Sequence, residues 1–183
     1  FPVVLLCGLA RRLNREDMSR PILFHPKLGV GPKRLDVERG VEYPTLARRA
    51  VARKLELEMM AEELRLLYVA MTRAKEKLIL SVALTGGARD LEKLAPDAAC
   101  PVEPQVLAGC QSVGQWVLLP ALARPDGETL RRAAGVQVPV PAADFGPAWD
   151  IRFVDGAEFQ AEPEENAISP SGPPDGEMIS AGA

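Results

Sequence analysis

The sequence is poor in the residues that build metal centres. His25 is its only histidine, and its three cysteines, Cys7, Cys100 and Cys110, are an odd number with no Cys-x-x-Cys pair. This argues against a Cys/His zinc site and fits a reducing, cytoplasmic setting, with Cys7 read as a small buried hydrophobe inside its apolar run. Aromatics make up 5% of a chain that is 47% hydrophobic, so a core has to come from Leu, Val and Ala. No apolar stretch reaches the roughly 18 residues of a membrane span. The apolar opening, Phe1-Pro2-Val3-Val4-Leu5-Leu6, has no basic flank and is too short for a secretory signal. Phosphate-binding signatures are missing as well. The run from Phe24 to Lys33 superficially suggests a phosphate loop, but Pro32, which has no N–H, precedes Lys33, and Arg34 stands where Walker A needs Ser or Thr. There is no Asp-Glu-x-x Walker B.

What remains is an α/β pattern. With 183 residues there is room for one domain with a sizeable core and a tail. Phe1 to Leu9 reads as a strand buried on both faces, as in a parallel sheet, and it delivers the basic loop Ala10-Arg11-Arg12-Leu13-Asn14-Arg15. Residues 16–43 are punctuated by Pro and Gly, with Ile22 to His25 as a short edge strand. Pro44 is expected to start a long helix. Its apolar stripe is Leu46, Ala50, Leu57, Met60, Leu64, Leu67 and Met71, with Arg53 interrupting it. Arg48, Arg49, Lys54, Glu56, Glu58 and Glu62 then fall on a solvated face, and Arg65 is placed to pair with Glu62. A strand at Leu78 to Val82 completes a helix–strand unit beside the first strand.

Beyond Gly86-Gly87 the texture changes. Arg89 to Leu94 reads as a brief helix, Cys110 to Arg124 as an amphipathic helix kinked at Pro120, and Trp149 to Val154 as an alternating strand. From Glu158 onward acidic residues, Pro, Gly and Ser predict disorder. The resulting division is 1–85 as a parallel-sheet domain, 86–157 as a helical and strand linker, and 158–183 as a tail. Charge divides similarly. Residues 1–82 carry 16 Lys/Arg against 10 Asp/Glu, and residues 83–183 carry 6 against 15. A basic half suits polyanions, although solvated surface accounts for such a split equally well.

The most informative stretch is Glu62-Glu63-Leu64-Arg65-Leu66-Leu67-Tyr68-Val69-Ala70-Met71-Thr72-Arg73-Ala74. It resembles motif VI of superfamily 1 DNA helicases of the UvrD/Rep type, matching Glu-Glu-x-Arg-Leu-x-Tyr-Val-(Ala/Gly)-x-Thr-Arg-Ala at every fixed position. Residues 1–8 resemble the segment that follows motif V in the same family. His25-Pro26-Lys27-Leu28-Gly29-Val30-Gly31-Pro32-Lys33 is similar to a segment of AddA-type helicase–nuclease subunits, and the likeness extends weakly to about residue 125 through Trp116-Val117-Leu118-Leu119-Pro120-Ala121-Leu122.

The resemblance implies part of a RecA-like domain, helicase domain 2A, in an ATP-dependent DNA helicase/exonuclease of double-strand break repair. It assigns Arg73 as the arginine finger on the ATP γ-phosphate, Thr72 as the residue that caps or positions its turn, and Tyr68 as a neighbour of the nucleotide. Arg11, Arg12 and Arg15 are candidates for a DNA-facing loop. The implied cofactor is ATP with Mg2+, held by a longer parent and not by this chain alone. The implied partners are single- and double-stranded DNA, the upstream RecA-like domain 1A and a second protein of AddB type, with no membrane.

A RecB-type nuclease site needs Glu/Asp-x-Lys, and Lys93 is the last lysine, so residues 94–183 do not contain that signature. The missing initiator Met and the opening within an apolar run lead us to expect a fragment without ATPase activity of its own. The competing reading is a non-catalytic nucleic-acid-binding or interaction module that keeps a helicase-like fold.

Overall fold

The longest element, helix α1 (Leu46–Met71), begins at Thr45, whose side chain accepts the Arg48 N–H at 3.1 Å and so satisfies one orphan donor of the first turn. This corrects the expected start at Pro44, which instead ends strand β4 (Val41–Pro44). The computed structural model describes residues 1–142 and 145–156. The segment from Glu158, expected to be disordered, lies outside the described residues. Among those described, no helix is long and apolar enough to cross a membrane.

Strand β1 (Val3–Leu6) and strand β5 (Lys77–Leu80) pair in parallel, from Val3 opposite Lys77 to Leu6 opposite Leu80. The parallel α/β arrangement read from the sequence is therefore present. Its burial is not as expected: Val3 and Leu5 remain 52% and 57% exposed, because a two-stranded sheet leaves β1 with one neighbour and one uncovered face. Cys7 is exposed for the same reason.

Between these strands lies an antiparallel sheet in the order β2 (Ile22–His25), β3 (Gly29–Asp36), β4. The edge strand β2 was foreseen, whereas β3 and β4 lie in what the sequence suggested was only Pro/Gly punctuation. Pro32 is tolerated within β3 because the strand changes partners there. Residues 29–32 pair only with β2 and 33–36 only with β4, so no ladder bond on the far side needs its missing N–H.

Packing of this sheet on α1 depends on Gly31. A Cβ there would lie 2.6 Å from the Arg48 Cα. Arg48, expected on the solvated face, is buried instead, and its Nη2 donates to the carbonyls of Met18 and Arg20 at 2.9 and 2.6 Å. The buried positions of α1 are Arg48, Val51 and Met60, while Leu46, Leu57 and Leu64 of the expected stripe are exposed. A further partner of α1 comes from β2. His25, 3% exposed, accepts the Lys27 N–H at Nδ1, so its Nε2 carries the proton and donates to Glu58 Oε2 at 3.1 Å.

The remaining helices are α2 (Ala88–Leu94), α3 (Pro104–Gly109), α4 (Val113–Ala123) and α5 (Glu128–Ala134). Helix α4 is not amphipathic as expected but buried on nearly all sides. One flank joins Trp116 and Leu119 to Leu13, Met60 and Cys110, and the other joins Leu118, Ala121 and Leu122 to Leu91 and Leu130. Arg131 closes its C-terminal end, donating from Nη1 to the carbonyls of Leu122 and Arg124 at 2.7 Å each.

The expected strand at Trp149–Val154 does not form. Ile151 and Phe153 do turn inward against the second cluster, which preserves the alternation, but no strand among the described residues pairs with them. The chain divides into two units, Phe1–Phe153 and Val154–Ala183, and all the elements above belong to the first.

Candidate functional site

Helix α1 ends at Thr72, and the turn Thr72-Arg73-Ala74 leads into β5. The turn is fixed through its backbone. Thr72 N–H donates to the Tyr68 carbonyl at 3.0 Å, Arg73 N–H to Ala70 at 3.3 Å and Ala74 N–H to Met71 at 3.3 Å. From the other side, the Phe1 amino group donates to the Arg73 carbonyl at 3.0 Å and Lys75 N–H donates to the Phe1 carbonyl at 2.8 Å. Glu76 and Lys77 N–H both reach the Pro2 carbonyl. The two residues ahead of β1 are thus the clamp that holds the turn. Sequence reasoning missed this role for Phe1 and Pro2, since nothing local marks a backbone clamp 72 residues away.

The side chains divide into fixed and free. The Thr72 hydroxyl reaches the carbonyls of Tyr68 and Val69 at 2.9 and 3.1 Å, which makes it the cap of the helix end, as expected. Arg65 pairs with Glu62 one turn along, also as expected. Tyr68 is 67% exposed and points away from the core. Arg73 is exposed, and no hydrogen bond or ion pair engages its guanidinium among the described residues. All five of its N–H donors are therefore available to a ligand. The guanidinium is thus unengaged among the described residues while the backbone that carries it is tied on both sides.

The basic loop lies at the other end of the parallel pair. Arg73 stands beside the amino ends of β1 and β5, whereas Arg11, Arg12 and Arg15 follow the carboxyl end of β1. Four residues of strand separate the two ends by roughly 13 Å. The loop is laced to the start of α4. Gly114 N–H donates to the Leu9 carbonyl at 2.7 Å, Leu13 N–H to Gln111 at 2.8 Å, and Arg12 bridges Ser112. Gly114 is required there, since a Cβ would lie 2.8 Å from Val82 Cγ1 and 3.0 Å from the Leu9 oxygen. Arg11 and Arg12 are exposed. Arg15 is committed inward, with Nη2 at 3.2 Å from Glu56 Oε1 and 3.3 Å from the Cys110 carbonyl.

A third constellation was not foreseen. Arg124, 4% exposed, donates to the Phe145 and Pro147 carbonyls at 2.7 Å each and to Asp126 Oδ2 at 2.9 Å. Its guanidinium carbon sits 4.5 Å from the Trp149 ring centre and 5.3 Å from that of Phe145. The Trp149 N–H and Arg124 together hold the Asp126 carboxyl below the usual range. The opposite charges of Arg124-Pro125-Asp126 were the one available signal.

Comparison with known proteins agrees with the motif reading. Residues 1–85 match the UvrD-like helicase C-terminal domain. Over longer stretches the chain is similar to AddA-type proteins, each named as a subunit of an ATP-dependent helicase/nuclease. It is 36% identical to that of Ruminiclostridium cellulolyticum over 170 residues, covering 87% of this chain and 13% of the relative. It is 41% identical to that of Moorella thermoacetica over 166 residues, covering 87% and 12%. For Clostridium novyi the identity is 38% over 146 residues, covering 75% and 11%. The chain thus spans about an eighth of the length of such relatives. Residues 1–85 thus carry the match to the UvrD-like helicase C-terminal domain, and over most of its length the chain resembles AddA-type helicase/nuclease subunits.

Proposed function

We propose that this chain supplies the arginine finger of an ATP-dependent DNA helicase/nuclease, with Arg73 directed at the γ-phosphate of a nucleotide held mainly by other parts of a longer protein. The observation that carries this reading is the contrast at the end of α1. The backbone of the turn is tied at Thr72, Arg73 and Ala74, while the Arg73 guanidinium has no partner among the described residues. In phosphoryl transfer to water, negative charge spreads over the γ-phosphate oxygens, and a guanidinium lowers the barrier by donating to two of them at once.

Bound ATP with Mg2+ would supply the phosphoryl group. Thr72 positions the turn, and Tyr68, exposed one helical turn earlier, lies alongside the bound nucleotide. Arg11 and Arg12 are the loop residues best placed for a DNA backbone, because Arg15 already has protein partners. On this reading the DNA contacts and the nucleotide contact would fall at opposite ends of the β1–β5 pair, an arrangement suited to coupling hydrolysis to movement along a single strand. Double-strand break repair in the cytoplasm with a second protein of AddB type follows from the family likeness and completes the proposal.

The test compares wild type and Arg73→Ala in the full-length protein, measuring DNA-stimulated ATP turnover and ATP affinity together. Turnover should fall about a thousandfold or more, the scale of arginine fingers, with affinity changed far less. Turnover close to wild type would remove Arg73 from the transition state.

A further inference from the structure

The antiparallel sheet has one face without a partner among the described residues. Its inner side at β2 is covered by α1, where Leu23, His25 and Gly31 are buried. Pairing places Phe24 beside Val30, Ile22 beside Pro32 and Tyr43 beside Arg34 on the outer side. All six are exposed, Phe24 to 63%. At the β3–β4 end the hairpin stands clear on both sides, with Leu35, Val37 and Val41 also exposed. An apolar surface continued over three strands is larger than the scattered hydrophobic residues normal on a monomer and marks an interaction site.

The chemistry favours a protein over a nucleic acid. Four of its outward residues, Ile22, Val30, Pro32 and Val41, are aliphatic, against two rings, Phe24 and Tyr43, that could stack on bases and one donor, Arg34, for phosphates. Its cation, Arg34, shares the face with Asp36, so the face carries no net charge to attract a polyanion. Tyr and Arg amid aliphatic residues are typical of protein interface cores. Arg34 has no ion pair among the described residues, unlike Lys33 on the opposite face, which meets Glu42 at 2.9 Å. Covering Arg34 therefore demands an acceptor from whatever covers it.

We propose that this face docks onto another part of the same polypeptide in a full-length helicase/nuclease protein, through an apolar surface that carries a carboxylate opposite Arg34. The proteins it resembles extend far beyond the matched region, which makes up 13% of the Ruminiclostridium cellulolyticum relative. This inference rests on the likeness to those proteins and not on the role of Arg73, so it stands or falls separately from the finger.

The experiment places single cysteines at Val30 and Val41 in the full-length protein and follows maleimide labelling of each peptide by mass spectrometry. The same variants unfolded in urea give the free rate. Protection of tenfold or more is expected with neither DNA nor a second protein present, and it should be independent of protein concentration. Arg34→Glu should release that protection at Val41→Cys, whereas Arg34→Lys should largely keep it. Labelling within about threefold of the unfolded rate would overturn the proposal. So would protection that appears only with a single-stranded oligonucleotide, only with an added partner protein, or only as protein concentration rises, each of which would identify a different occupant.

Discussion

The Thr72 hydroxyl lies 2.9 Å from the Tyr68 carbonyl, one turn back along α1. It also lies 3.1 Å from the Val69 carbonyl, which the Arg73 N–H passes over in favour of Ala70, and so adds a tie immediately before the residue proposed to act on phosphate. Thr72→Val keeps the shape and removes the donor. The expected result is a loss of about 1 kcal/mol in urea unfolding and a drop in ATP turnover of roughly tenfold in the full-length protein, because the turn carrying Arg73 loses one of its ties. Thr72→Ser should retain both properties. If Thr72→Val turns over normally while Arg73→Ala does not, the hydroxyl has no part in aiming the finger.

Gly31 is argued from space alone. Its backbone faces the Arg48 Cα, with the Arg48 N at 3.0 Å and the Ala47 oxygen at 3.1 Å from the position of a Cβ. These are main-chain atoms and do not rotate away. Gly31→Ala should force β3 off α1 and cost about 1–3 kcal/mol, and Gly31→Val should cost more. The packing argument fails if Gly31→Ala unfolds at the wild-type urea midpoint.

The pattern of what the sequence disclosed has physical causes. The Thr-Arg turn, the helix before it and the strand after it were legible because a motif with contiguous fixed positions is a local signal. The parallel pairing was legible from two apolar runs flanking a long helix. The β3 and β4 strands were hidden because Gly29, Gly31 and Pro32 normally break strands. Here Gly31 is needed for close approach to Arg48, and Pro32 sits where the pairing changes sides. Burial along α1 was misjudged because helical periodicity records hydrophobicity only. Arg48 is buried by the Met18 and Arg20 carbonyls, partners on a distant turn. Arg73 itself was found by motif, while its clamp by Phe1 and Pro2 is long-range and left no local trace.

Glu58 makes a pH-dependent contribution whose sign follows from its partners. Lys54 first, and then His25, hold its carboxyl below the ordinary value of 4.5. A carboxyl with a lowered folded-state pKa binds protons more weakly in the folded chain than in the unfolded one. Its stabilising contribution is therefore present above about pH 4.5 and is lost as pH falls through the lower folded value. Glu58→Gln keeps an acceptor for His25 Nε2 and removes the charge. The stability difference between wild type and Glu58→Gln should be steady from pH 7 to pH 5 and shrink below that. A difference that stays constant down to pH 3 would show that the pair contributes no charge term.

The Arg124 cluster is expected to have a large effect on stability. One buried guanidinium answers two carbonyls and a carboxylate and packs against two aromatic rings. Lysine has the charge, but its single ammonium has neither the planar fork nor the flat surface for Trp149. Arg124→Lys should cost about 3 kcal/mol, since buried acceptors lose partners that water does not readily replace. The local readout is Trp149 emission. Released from the cation, and with the Asp126 tie to the Trp149 backbone N–H loosened, the indole should become more solvated and shift to longer wavelength, while Trp116, whose indole N–H donates to the Leu107 carbonyl at 3.1 Å, stays unchanged. Trp149→Phe in the same background should abolish the shift. A destabilised Arg124→Lys variant with unaltered emission would mean that the guanidinium stabilises the end of α4 without holding the Trp149 segment.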